Sequence, residues 1–204
     1  MHLMDQRILG IAILLLLGMV VIAKRAASGS VLDKPKGSLL IQLVNIFNLF
    51  FLLIVNPAAA VLLIFRRLEA IDPTRILIDA PSSLVALELA GSVFYVTGFL
   101  LMAWALLSLG RNYQLGGTAP RDTDEMIIAG PYRMIRHPMY AAALSISFGL
   151  TCLVQSFAFL SVFCIYLVLI FLMIPLEEEG LQQAYREKFV AYKQSTARLF
   201  PFVY

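Results

Sequence analysis

Four tracts of this chain, residues 8–23, 39–65, 84–109 and 139–175, consist almost entirely of apolar side chains. A helix crossing a bilayer needs about 20 such residues, and a backbone in lipid must satisfy its own hydrogen bonds. The last tract is too long for one span and carries a polar break at Gln155-Ser156, which reads as a tight helical hairpin. The chain therefore reads as an all-α integral membrane protein with about five transmembrane helices, the last two forming a C-terminal hairpin. Composition agrees: 60% of its 204 residues are hydrophobic and 14% charged, against roughly 45–50% and 25% in soluble domains. A formal charge of +3 gives no reason to expect a nucleic-acid partner.

Each tract carries its own expectations. A signal peptide would look much like residues 8–23. The favoured reading is a retained first helix, anchored by Lys24, Arg25, Lys34 and Lys36, with a polar connector over residues 28–38. Pro57 lacks an N–H for the helical ladder and predicts a kink near Asn56. Asn45, Asn48 and Asn56 fall near one helical stripe, suited to interhelical hydrogen bonds or to lining a cavity. Glu88 is expected to snorkel to the interface and Trp104 to join an interfacial aromatic belt, while Gly91 and Gly98 permit close helix approach. Cys152 and Cys164 read as small buried hydrophobes. No metal site is expected, because His137 has no second histidine or cysteine at ligand spacing.

The polar chemistry gathers in two segments. Residues 130–140 read GPYRMIRHPMY, and Pro138 suits the first position of a helix. Before them, residues 110–137 form a long polar connection containing Gly116-Gly117, Pro120, Asp122, Asp124 and Glu125. Such long connections are more often functional than passive. The second segment begins after Pro175, with Glu177, Glu178 and Glu179. Leu181, Ala184, Tyr185, Phe189 and Tyr192 then recur at near-helical spacing, predicting a cytosolic amphipathic helix on the membrane or over the site. With five spans, twelve of the sixteen Lys and Arg residues share the C-terminal side. The positive-inside rule then puts the C-terminus and both polar segments in the cytosol, with the N-terminus outside the cytoplasmic membrane. The chain divides at residue 109 into three N-terminal spans (1–109) and a cofactor-binding, catalytic half (110–204).

A cationic helix start facing an acidic helix exit has two readings. The groups are interface anchors that pair with each other, or they form a site for a zwitterionic ligand. In the second case arginine grips a carboxylate, a glutamate takes an ammonium or ribose hydroxyls, and tyrosines face a cation or a heterocycle. The sequence has no P-loop, G-x-G-x-x-G or G-x-S-x-G pattern. Residue chemistry alone leads to a cytosol-facing cofactor or substrate site and leaves its ligand open.

LGRNY at residues 109–113, GPYRMIRHPMY, EEE-x-L at 177–181 and Y-x₅-RLFP at 192–201 together resemble the isoprenylcysteine carboxyl methyltransferase family. That family belongs to a wider group with the membrane phospholipid methyltransferases, and the resemblance covers about the last 95 residues. It implies a helical membrane enzyme that uses S-adenosyl-L-methionine and methylates a lipophilic acceptor entering from the bilayer. Carried over by position, Tyr132, His137, Pro138, Met139 and Tyr140 line the cofactor pocket. Glu177 holds a polar group of the cofactor with Glu178 beside it, and Asp124, Glu125, Met126 and Ile127 supply backbone contacts. To these we add Arg136, to pair with the cofactor's carboxylate or to hold Glu178; Arg136 and Glu178 are also the positioning candidates for catalysis.

Three positions depart from the family pattern. Asp124 replaces a histidine, Arg186 replaces a glycine, and Met173 stands where the family has a substrate-binding arginine. A methionine cannot pair with a carboxylate, so an acceptor other than a prenylcysteine carboxylate is expected, with Met173 and Trp104 facing it. Two alternatives stay open from sequence: an NADPH-dependent membrane reductase of sterol-reductase-like architecture, and a non-catalytic membrane protein. Partners are expected to be membrane lipids and a lipidated or lipophilic small molecule.

Overall fold

The computed structural model describes residues 5–29, 39–76, 78, 80–113, 120 and 124–200. Helix α1 (Gln6–Ser28) starts where the Asp5 carboxylate accepts the Arg7 N–H at 2.8 Å. It stops at Gly29, whose φ of 75° lets its N–H reach the Arg25 carbonyl. Helix α2 (Leu39–Phe50) passes through a π-helical segment, Phe51–Val55, into α3 (Asn56–Ile64). The short α4 (Leu68–Ile71) precedes the long α5 (Pro81–Leu109). Helices α6 (Pro138–Val154) and α7 (Phe157–Tyr185) form the hairpin, and α8 (Glu187–Ser195) follows.

Among the described residues, four helical stretches are long and apolar enough to cross a membrane: Gln6–Ser28, Leu39–Ile64, Pro81–Asn112 and Phe157–Tyr185. α6 is a fifth apolar helix, shorter at 17 residues. Its Ala141, Ala142, Ile146 and Leu150 are buried, so it meets protein where the others meet lipid. The hairpin turn falls at Gln155-Ser156 and is tied to the connection before α5. Ile76 donates to the Gln155 carbonyl at 2.7 Å, and Phe157 to the Thr74 carbonyl at 2.9 Å.

The kink expected near Asn56 takes the form of the π segment. Because Pro57 has no N–H, the ladder is rebuilt one residue wider: the Asn56 backbone N–H reaches Phe51 O. The Asn56 side chain donates to the same carbonyl at 2.8 Å, and Tyr95 on α5 donates to Asn56 Oδ1 at 2.6 Å. One asparagine thus closes the π turn and joins two helices.

Elsewhere the structure corrects the sequence reading. Glu88 does not snorkel: α5 begins at Pro81, earlier than the apolar tract, which carries Glu88 two turns inside. It is buried beside Asp72, Arg75 and Ser92, around a small cavity at the Gln155 end of the bundle. Cys152 is buried, but Cys164 is exposed on α7. The amphipathic helix is two pieces. α7 continues through Pro175, because a proline removes only one rung from a membrane helix whose neighbours hold it. The chain turns instead at Arg186, with φ 51°, before α8. Residues 30–38, Gly116-Gly117, Asp122 and Pro201 lie outside the described residues.

Glycines at Gly91, Gly98 and Gly149 let α5 and α6 touch backbone to backbone. A Cβ at Gly149 would stand 2.6 Å from Tyr95 N and 2.7 Å from Gly91 O. Alanine gains up to about 1 kcal/mol of helix propensity, but forcing a methyl against backbone that cannot step aside costs about 1–3 kcal/mol. Gly149→Ala is therefore expected to lower the thermal midpoint in detergent; an unchanged or raised midpoint would contradict this packing.

Candidate functional site

The site is built where the amino end of α6, the carboxyl end of α7 and α8 come together. The segment preceding α6 makes a 3₁₀ turn, Gly130–Arg133, entered through Gly130 at φ 60°. The chain after α8 then runs beside it. Arg136 N–H donates to Ala197 O at 2.8 Å, His137 N–H to Arg198 O at 3.1 Å, and Ala197 N–H to Met134 O at 3.2 Å. Tyr192 of α8 donates its hydroxyl to the Tyr132 carbonyl at 2.6 Å. The C-terminal segment is thus a strap that fixes where Tyr132, Arg136 and His137 stand.

Glu178 is the centre of this strapping. Its Oε1 accepts from Arg136 Nε at 2.9 Å and Arg198 Nε at 3.3 Å, and lies 3.3 Å from His137 Nε2. Its Oε2 accepts from the second Arg198 nitrogen at 3.1 Å, with Lys193 Nζ at 3.5 Å. Arg136 also donates to the Lys193 and Thr196 carbonyls. The adjacent Glu177 points elsewhere, because successive residues on a helix diverge by about 100°. Its Oε2 accepts the Tyr140 hydroxyl at 2.7 Å and lies 3.7 Å from His137 Nδ1. His137 therefore stands between two carboxylates, with its ring stacked on Tyr140 at 5.5 Å between centroids.

Glu177 opens onto a cavity of about 270 Å³, near the lower bound of roughly 300 Å³ for ligand pockets. Of the residues expected from sequence, Asp124, Glu125, Met126, Ile127, Tyr132 and Arg136 line it. So do His137, Pro138, Met139, Tyr140 and Glu177. Three expected residues do not: Glu178 turns to the basic strap, Met173 is buried under Tyr140, and Trp104 is 49% exposed on α5. Of the two roles open to Arg136, the geometry is that of holding Glu178.

The wall also contains residues that sequence reasoning did not assign to the site. Tyr113, Tyr185, Phe189 and Tyr192 add aromatic faces, and Lys24, Asn45, Asn48 and Tyr166 come from α1, α2 and α7. The signal for these aromatic faces is present in the sequence, since Tyr185, Phe189 and Tyr192 lie on the helical stripe, and Asn45 and Asn48 take the second of the two roles open to the asparagine stripe. Tyr185 donates its hydroxyl to the Asp124 carbonyl at 3.4 Å, holding the non-helical 124–127 segment at the rim. Burial, with the negative charge of Glu177 next, keeps the Tyr132 phenol well above its usual pKa. Burial likewise pushes Tyr192 up to about 12, against the lowering effect of Arg136. Both phenols remain neutral hydroxyls at physiological pH. Among the described residues, no group of three His, Cys, Asp or Glu is placed to hold a metal.

The comparisons agree with this architecture. A model of the phospholipid methyltransferase family matches residues 87–188, which contain most of α5, all of α6 and α7, and both glutamates. Among solved structures, the chain is similar to the eukaryotic intramembrane Ras methyltransferase, isoprenylcysteine carboxyl methyltransferase. The TM-score is 0.52 and the identity 16%, over 80% of this chain and 74% of that one. At that identity the likeness is one of fold. No curated protein sequence matches the chain. Fold and family match together define a membrane methyltransferase. With half its length matched, the chain belongs to the phospholipid methyltransferase family.

The strap makes a direct prediction. The side chains of Arg136 and Glu178 are 9% and 4% exposed. Removing one partner of such a buried pair costs about 3–5 kcal/mol, because the other charge is left uncompensated. Glu178→Leu is therefore expected to destabilise the protein severely in a detergent unfolding assay. The exposed neighbour substitution Glu179→Leu is expected to stay within about 0.5 kcal/mol. Equal effects would refute the hub role of Glu178.

Proposed function

We propose that the protein is an S-adenosyl-L-methionine-dependent methyltransferase whose lipophilic acceptor enters from the bilayer. The observation that carries this reading is one continuous cavity with two chemistries. At one end it is walled by Glu177, Tyr140, His137 and Tyr132, and further in by apolar side chains of α2, α5 and α6.

The residues at the polar end fit the cofactor. Glu177 has its carboxylate on the cavity, already oriented by the Tyr140 hydroxyl, and suits ribose hydroxyls or an ammonium group. The rings of Tyr132, Tyr140, Tyr185 and Phe189 offer faces to a heterocycle or a cation. Pro138 and Met139 form the first turn of α6, whose amino end favours a carboxylate. The segment Asp124, Glu125, Met126 and Ile127 lies outside any helix and lines the cavity, where its backbone suits adenine contacts. Arg136, at the cavity wall, and Glu178, behind it, act as positioning residues. When bound, the cofactor supplies an electrophilic methyl group on a positively charged sulfur.

What the chain contributes to rate is alignment and dryness. Holding donor and acceptor in line in a water-poor cavity removes much of the orientational cost of a bimolecular reaction. Two neutral, buried tyrosines and a carboxylate tied to Tyr140 present no strong competing nucleophile. The distribution of basic residues supports an orientation with the polar end in the cytosol and the N-terminus outside, in the cytoplasmic membrane.

Calorimetry with S-adenosylhomocysteine on detergent-purified protein tests the reading. Glu177→Gln and Tyr140→Phe disturb one charge-assisted hydrogen bond and its acceptor, worth about 1.5–3 kcal/mol, so affinity is expected to fall roughly 10- to 100-fold. His137→Ala is expected to weaken binding as well. Absence of binding to the wild type, or unchanged affinity in all three variants, would overturn the proposal.

A further inference from the structure

Beyond its polar end the cavity runs into the bundle, where Leu49, Leu52, Met102 and Ile146 line it. Two hydrogen-bonding side chains stand on this inner wall in an unusual arrangement. Tyr166 of α7 is 1% exposed, its ring stacked on Phe47 at 5.0 Å, and its hydroxyl donates to Asn48 Oδ1. That bond occupies the amide oxygen and fixes the orientation of the group. The Asn48 Nδ2 donors are left for a partner in the cavity. The nearby Asn45 is differently disposed, its Nδ2 donating to the Ile41 carbonyl of its own helix at 2.7 Å.

The depth of this pair follows from helix geometry. Tyr166 precedes Glu177 by eleven residues, close to three full turns, so both face the cavity, separated by roughly 16 Å of helix rise. The charged residues of the lining come from the segments at the polar end. Lys24 lies near the end of α1, held over the Tyr113 ring at 4.6 Å and donating to Ser28 Oγ at 3.2 Å. Among the described lining residues the cations are Lys24 and Arg136, and α2, the π segment, α5 and α6 contribute none to the inner arm. An anion brought there would be buried unpaired, at a cost far above what one amide returns. The π segment bears on which asparagine faces the cavity. By widening one turn it faces Asn56 toward Tyr95, while Asn48 and Phe51 stay on the cavity wall.

We propose that this inner arm is the acceptor subsite, and that Asn48, oriented by Tyr166, is its specificity-determining residue. It recognises a neutral oxygen function, such as a hydroxyl, carbonyl or ether, on a molecule with an apolar chain. The proposal rests on the methyltransferase reading for its name as an acceptor site. The recognition itself can be measured without turnover.

The test uses the full chain in lipid nanodiscs at pH 8 with three probes of one chain length: dodecanol, dodecanoate and dodecane. Equilibrium binding is measured for the wild type, Asn48→Leu and Tyr166→Phe, and each sample is also titrated with S-adenosylhomocysteine. The wild type is expected to prefer dodecanol to dodecane by about 3- to 10-fold, the worth of one neutral hydrogen bond, and to bind dodecanoate least. Asn48→Leu is expected to remove the dodecanol preference while dodecane binding persists, and Tyr166→Phe to reduce the preference. Tighter binding of dodecanoate, or a full dodecanol preference in either variant, would overturn the assignment. Should Asn48→Leu fail to fold, Tyr166→Phe decides alone. Loss of S-adenosylhomocysteine binding in the wild type would instead strike at the methyltransferase reading, whatever the probes report.

Discussion

The carboxylate of Glu178 governs how the rest of the site is assembled. It receives Arg136, His137, Lys193 and Arg198, which come from the segment before α6, from α8 and from the chain after it. Alone on α7 near the end of an apolar helix, such a charge would be costly to bury; surrounded by donors, it gathers them. The backbone bonds between 134–137 and 197–198 complete what the ion pairs begin. Consequently Tyr132, His137 and Tyr140 have little freedom, and of the two adjacent glutamates it is Glu177 that faces the cavity. The division of labour between two adjacent glutamates rests on nothing more than helical pitch: one serves the scaffold, the other the ligand face.

That pitch organises the whole of α7. Tyr166, Glu177, Leu181 and Tyr185 lie on the cavity, while Tyr166, Ile170, Met173 and Ile174 also pack into the core around α2 and α6. A single rigid element thereby sets the spacing between the polar and apolar ends of the cavity. Pro175 falls between them without breaking the helix. The opposite wall is less regular, because α2 reaches α3 through a π turn rather than a continuous α-helical ladder. The irregular element is stabilised from within by Asn56 and from outside by Tyr95, both buried.

Much of this was legible in the sequence, for identifiable reasons. Hydrophobic length fixed the helices, the Gln155-Ser156 break fixed the hairpin, and the hairpin forced the 130–140 segment and the glutamates to the same end. Of the eleven lining residues read from the sequence, those from 132 to 140 and Glu177 share one cavity because the hairpin makes the start of α6 and the end of α7 neighbours, and 124–127 join them through the Tyr185 bond to Asp124. What could not be read were directions. Sequence spacing does not say which of Glu177 and Glu178 faces a strap whose basic residues lie up to twenty positions away. Nor does it choose for Trp104 between the interfacial belt and the acceptor, or bury Glu88, since both depend on where α5 starts and how it is rotated against α6. Gly91 and Gly98 carried the close approach but not its rotation, nor the matching Gly149 on α6.

Arg186 shows where local chemistry and tertiary demand conflict. Its φ of 51° with ψ of −124° is backbone territory that suits glycine, and here a residue with a long charged side chain occupies it. Such strain persists only where surrounding structure over-determines it, at a cost on the order of 1–3 kcal/mol. The surroundings are plain. α7 is fixed by its membrane-spanning length and by Glu178. α8 is fixed by Phe189 and Tyr192, both buried, and by the Tyr192 bond to Tyr132. With both flanks anchored, the single residue between them must take whatever angle joins the helices. The turn that closes the aromatic wall over Glu177 is therefore imposed by the strap and the bilayer together, not chosen by the residue that makes it.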